Sequence, residues 1–152
     1  MRSRLLAVCL LALSLTAPLG ADTSESTLTG TIRTAESGRL ELSGEVTGGL
    51  QGTLTVDLGQ DQNVGGGAWR LDIRRQDGTG TWYDAGALTG TVVRGALQPS
   101  ADGLSWASDA IELQVSTGDG ELANVTDGTG TLSFTISTGD APRASGTLTL
   151  TY

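Results

Sequence analysis

Histidine and lysine are absent from this chain, and its one cysteine, Cys9, lies in an apolar run at the amino terminus. Each absence closes a class of chemistry. Without His or Lys there is no ordinary base beside a Ser or Thr hydroxyl, so triad-type hydrolysis is excluded. Zinc sites draw mainly on Cys and His, which leaves nothing from which to build one. No Gly-x-x-x-x-Gly-Lys phosphate loop occurs, and Gly65-Gly66-Gly67 lacks a following helix pattern, so it reads as a flexible turn. With no cysteine after Cys9, disulfides cannot support the fold, and the domain must stabilise itself through its own core. Aromatics are scarce as well: three Trp, two Tyr and one Phe.

What is present begins with an export pattern. Met1-Arg2-Ser3-Arg4 precedes an apolar run over residues 5–15 and a small-residue exit, Leu19-Gly20-Ala21. This predicts a signal peptide over residues 1–21, with cleavage after Ala21, and one domain over residues 22–152. The run is short of the ~20 apolar residues that span a bilayer. A lipoprotein would need Cys9 at the end of the run instead of inside it. The expected location is therefore secreted, periplasmic or at the cell surface, and the signal has a bacterial look. All 17 acidic residues follow the cleavage point, while two of the nine arginines precede it, which gives the mature chain a charge of −10. A field of that sign repels nucleic acid and anionic lipid and favours solubility.

Beyond residue 27 the chain alternates with period two, the mark of strands with one buried face. Leu40, Leu42, Gly44 and Val46 alternate with Arg39, Glu41, Ser43 and Glu45. The same phase recurs in Leu54, Val56 and Leu58; in Trp69, Leu71 and Ile73; in Ile111, Leu113 and Val115; in Leu132, Phe134 and Ile136; and in Leu148, Leu150 and Tyr152. Turn signals such as Gly48-Gly49, Asp77-Gly78, Asp102-Gly103, Asp119-Gly120 and Asp127-Gly128 separate these runs and favour antiparallel neighbours. The expected fold is all-β: a small antiparallel β-barrel of eight to ten strands, with a β-sandwich as the alternative. Glycines inside the strands, such as Gly30, Gly44, Gly52, Gly90, Gly130 and Gly146, suit a sheet that must curl. The string Asp77-Gly78-Thr79-Gly80-Thr81 returns as Asp127-Gly128-Thr129-Gly130-Thr131. Its fifty-residue period fits a half-barrel duplication or coincidence.

The stretch Val115-Ser116-Thr117-Gly118-Asp119-Gly120-Glu121-Leu122-Ala123-Asn124-Val125-Thr126, continuing into the second copy of that string, resembles the Gly-Gly-Thr-Gly-x-Phe hairpin of bacterial secreted barrels related to dirigent proteins and allene oxide cyclases. Leu122 stands where an aromatic is usual there, and Asp119 where Thr is usual. The resemblance implies a small barrel of that type. It carries over no catalytic residue.

Carboxylate pairs are the catalytic option this composition retains, since glycoside hydrolysis needs two of them across a sugar. Asp109 shares parity with Ile111, Leu113 and Val115, so a regular strand would aim it inward; alternatively it sits in a loop after Trp106. Asp72, between Arg70 and Arg74, reads as a solvated ion-pair row. Calcium is the metal that suits oxygen donors. Asp57, Asp61 and Asn63, and Asp119, Glu121 and Asp127, are its possible ligands, although no complete calcium-loop spacing is present. Trp82, Tyr83, Trp106 and Asp109 form the candidate ligand surface, because rings beside acids and hydroxyls can stack on a sugar or an apolar small molecule. Strand alternation would bury either Trp82 or Tyr83. Asn124-Val125-Thr126 is a formal glycosylation sequon, incidental in a bacterial protein. The terminal alternation ending on Tyr152 suits an outer-membrane barrel, but six aromatics cannot furnish two girdles. The expected function is a secreted, non-catalytic binding or structural module without cofactor (calcium aside), whose partner is a small molecule, glycan or protein. A small outer-membrane barrel is the second reading, and a carboxylate-based glycosidase or cyclase the third.

Overall fold

The computed structural model describes residues 21–60, 62–101, 105–139 and 141–152; the expected signal segment up to residue 20, Asp61 and the Asp102-Gly103 turn lie outside them. Ten strands follow in order: β1 Thr23–Thr34, β2 Leu40–Gly48, β3 Gly52–Gly59, β4 Asn63–Val64, β5 Ala68–Gln76, β6 Trp82–Pro99, β7 Ser105–Ser108, β8 Ile111–Gly118, β9 Gly128–Ser137 and β10 Arg143–Thr151. The one helical element among the described residues is a 3₁₀ turn, Gly120–Leu122. Every pairing is antiparallel, and one ten-stranded sheet holds them all. The ladder closes on itself through eight strands, β10-β1-β2-β3-β5-β6-β8-β9 and back to β10. The expected all-β, antiparallel, eight-to-ten-stranded architecture is therefore present. The sandwich alternative needs two sheets, and there is one.

The alternating rows decide the core. Leu42, Val46, Leu54, Val56, Trp69, Leu71, Ile73, Ile111, Leu113, Phe134, Ile136, Leu148 and Leu150 are all buried in one apolar cluster, as their phase requires. Glycines share that inner row. Gly30 stands opposite Gly44, and a Cβ on Gly30 would meet the Gly44 Cα at 2.6 Å. Their bare backbones allow β1 and β2 to approach closely on the inside of the curl. Gly90 lies opposite Trp69, whose indole crosses it to donate to the Gln114 carbonyl on β8 at 3.1 Å. The buried Ser26 hydroxyl accepts the Leu50 N–H at 2.9 Å and donates to the Leu50 carbonyl at 3.3 Å, which ties the β2–β3 turn to β1.

The ladders on either side of β1 and β10 run without interruption, whereas those around β6 carry bulges. One irregularity decides between the two readings of Asp109, in favour of the loop after Trp106. β7 and β8 occupy the same slot between β6 and β9, but Trp106 pairs with Ile136 and Ile111 pairs with Leu132, a register offset of one residue. The extra residue lies at Asp109-Ala110. It inverts the strand parity, so Trp106 packs inward against the core while Asp109 is exposed. The Ser108 hydroxyl accepts the Phe134 N–H at 2.8 Å and completes the ladder at this point. The half-barrel duplication also fails. Residues 77–81 form the β5–β6 turn, whereas Gly128 to Thr131 are strand β9, so the two copies have different conformations.

Outside the ring, ions pair across strands in Arg33–Glu41 at 2.6 Å and Arg94–Glu112 at 2.7 Å, and along β5 in Arg70–Asp72 at 2.7 Å. Exposed pairs of this kind add little to stability, because water screens them. Asp57 is the better-held acid. Burial pushes its carboxyl up, but hydrogen bonds from Arg39 at 2.8–2.9 Å and from the Gly59 N–H, with the Arg39 charge, bring it below its ordinary 3.8. A carboxyl whose folded value lies below its unfolded value contributes stability above the unfolded value and loses it as pH falls through the folded one. With no histidine to titrate, the melting temperature is expected to stay flat near neutrality and to fall below pH 3.8. Asp57→Asn should remove part of that acid-side fall, as read from thermal melts of both proteins between pH 7 and pH 2. Superimposable acid limbs would show that Asp57 contributes nothing.

Candidate functional site

The ring has two ends, and the connections sort cleanly between them. One end gathers Asp22 and Tyr152, the β2–β3 turn at 48–51, the β5–β6 turn at 77–81 and the β8–β9 loop at 119–127. The other gathers the remaining turns together with β7. Trp82 and Tyr83 therefore lie at the first end, whereas Trp106 and Asp109 lie at the second. The four residues do not converge on one site. Asp109 accepts a long hydrogen bond from Gln98 at 3.3 Å and donates its own N–H to the Ala96 carbonyl at 3.0 Å.

Trp82 and Tyr83 are both exposed, at 46% and 40%, where strand alternation alone would bury one of them. The hairpin runs past the core here, and a bulge marks the point where it leaves. Ile73 pairs with Gly86 and Arg74 with Asp84, so Ala85 is an extra residue on β6. Gly86 takes a φ of +121°, and Asp119 completes the distorted ladder by accepting the Ala87 N–H at 2.6 Å and donating its own to the Ala87 carbonyl. Past this bulge the hairpin projects beyond the core, and both of its faces meet solvent. On one face Tyr83 donates to Glu121 at 2.9 Å, and Arg75 meets the other Glu121 oxygen at 3.2 Å. The bond to Glu121 raises the Tyr83 hydroxyl above its ordinary value of 10.0, and burial and the carboxylate charge act in the same direction. The other face carries Trp82, Gln76, Arg74 and Asp84. The hairpin tip is held by Asp77, which accepts from the Thr79 hydroxyl at 2.6 Å and from the Thr79 and Thr81 N–H groups.

The possible calcium ligands are spread out or engaged. Asp57 is held by Arg39, Asp119 by the β6 bulge, and Glu121 by Tyr83 and Arg75; Asp61 lies outside the described residues. Among the described residues no three acids gather into a cation site. The Tyr83–Glu121–Arg75 network was not legible in sequence, because its members come from three separate elements. A comparison of the chain with protein-family models, curated proteins and solved structures finds no match.

Proposed function

We propose that the protein is an exported, non-catalytic binding module whose ligand docks at the end of the ring bearing Trp82 and Tyr83. The observation that carries this reading is the pair of large rings left in solvent on a hairpin braced from both sides. The hairpin backbone is held at its tip by Asp77 and at its bulge by Asp119, and Glu121 holds the Tyr83 ring, so the platform under both rings loses little freedom when a ligand stacks on it. Export is supported by the arginine-flanked apolar run and the Leu19-Gly20-Ala21 exit. The membrane-barrel reading is weakened by polarity: the apolar rows point inward and Thr, Ser, Arg and Asp point outward, the reverse of a lipid-facing band. No helix among the described residues is long and apolar enough to cross a membrane. The glycosidase or cyclase reading loses its buried acid, since Asp109 is exposed.

Two measurements test the proposal. Intact mass of the exported protein should correspond to a chain beginning at Asp22; a retained Met1 or a lipid on Cys9 would overturn the localisation. Affinity electrophoresis against a panel of soluble neutral and acidic polysaccharides should retard the wild type, and Trp82→Ala should abolish the retardation. Retardation equal in both proteins would move the site away from this end, and none across the panel would remove glycans as the ligand.

A further inference from the structure

The ligand class can be narrowed at the cleft beside Trp82, and this step rests on the reading just given. A cleft of about 360 Å³ lies between the turn at 48–51 and the β5–β6 hairpin, bordered by Gln51, Ile73, Arg74, Gln76 and Trp82. Its walls are fixed by the backbone. The Gly49 N–H donates to the Glu25 carbonyl at 2.9 Å, the Arg74 N–H donates to the Gln51 carbonyl at 2.8 Å, and Ser26 anchors Leu50. Such a cleft needs little reordering to receive a ligand.

Its cation is loosely held. Arg33, Arg39, Arg70, Arg75 and Arg94 each meet a carboxylate at 2.6–3.2 Å. Arg74 reaches Asp84 only at 3.8 Å, beyond hydrogen-bond distance, and the Asp84 side chain is 93% exposed. A guanidinium with donors to spare thus stands on the same face as an exposed indole. Arg74 pairs with Asp84 and Gln76 with Trp82, which makes Arg74 and Trp82 diagonal cross-strand neighbours whose backbones are about 7–8 Å apart. That separation suits a pyranose ring on the indole with an exocyclic carboxylate at the guanidinium.

We propose that this cleft binds a uronic acid residue of a glycan. The sugar ring stacks on Trp82, Arg74 takes the carboxylate through paired N–H donors, and hydroxyls meet the Gln51 amide and the Gln76 side-chain oxygen, the Gln76 amide nitrogen being held by the Gly80 carbonyl at 3.1 Å. The mature chain's net charge of −10 opposes the approach of an anion from afar. At physiological salt that field is screened beyond about 8 Å, and Arg74 acts locally.

The test uses trigalacturonate and its methyl ester, which has the same sugar without the charge, titrated against the intact mature protein by calorimetry and tryptophan fluorescence. The acid should bind, and more weakly as salt rises, with the ester about ten- to a hundredfold weaker. Arg74→Gln should erase the difference between acid and ester, and Trp82→Ala should weaken both by about tenfold. Both side chains are exposed, so melting temperatures should match the wild type and confirm that the variants are folded. Equal binding of acid and ester, unmoved by Arg74→Gln, would overturn the uronate assignment and leave Trp82 as a neutral-sugar platform. Binding of neither trisaccharide, with Trp82-dependent retention by a polysaccharide in the panel, would overturn this inference alone. Absence of both would overturn the glycan-binding reading as well.

Discussion

Trp69→Ala is expected to lower the unfolding free energy by about 3–5 kcal/mol, the cost of emptying a large buried aromatic site that cannot collapse. Trp69 is 2% exposed and is the largest side chain in the core. Its loss removes its share of the core cluster and also the hydrogen bond to the Gln114 carbonyl. That bond bridges β5 to β8 over the intervening β6, so the indole acts as a strut across three strands. Small domains are stable by 5–15 kcal/mol, and a loss of this size is a large share of the total. Urea unfolding of the two proteins measures it; a change under about 1 kcal/mol would remove Trp69 from the strut role.

Gly90→Val should be comparably damaging for the opposite reason, costing about 3 kcal/mol or more through overpacking. A Cβ at Gly90 would stand 2.7 Å from the Trp69 Nε1 and would collide with the Gln114 carbonyl oxygen. The second neighbour is backbone, and Gly90 is paired on both edges, to Trp69 and to Val115, so neither strand can step aside without breaking a ladder. Because the indole and the glycine share this space, the two substitutions should be non-additive when combined. Additive effects in the double variant would show that the Trp69–Gly90 contact carries no energy of its own.

The contrast between Leu113 and Asp109 explains what the sequence could reveal. Leu113 is surrounded by a row of like residues on one strand, and period two is enough to bury it. Asp109 extends the same row by one step, yet it faces water, because an added residue beside it is decided by the lengths of β6 and β9 rather than by its own neighbours. The β5–β6 hairpin repeats the lesson: past the Ala85 bulge it runs beyond the core, so both of its faces, with Trp82 on one and Tyr83 on the other, meet solvent, which no alternation rule can produce. At the candidate site the rings were visible as rings among polar residues. Their braces were not, since Glu121 lies 38 residues from Tyr83 and the turn at 48–51 lies on the far side of β5. The repeated Asp-Gly-Thr-Gly-Thr string shows the converse, one pentapeptide adopting a turn in one copy and a strand in the other according to what surrounds it.

The seam between β1 and β10 imposes an order on assembly. The Thr23 and Thr151 hydroxyls meet at 3.0 Å across 128 residues of chain, and Asp22 and Tyr152 exchange both of their backbone hydrogen bonds. Hairpins such as β1–β2 or β5–β6 can zip up as soon as their own residues are free. The circle cannot shut until β10 arrives, a non-local step of the kind that makes β topologies slow to fold. Until then β1 and β9 present bare edges that invite pairing with other chains. Connectivity thus leaves closure of the circle to two strands that lie far apart in the chain, and the two edges stay open to other partners for as long as that pairing is delayed.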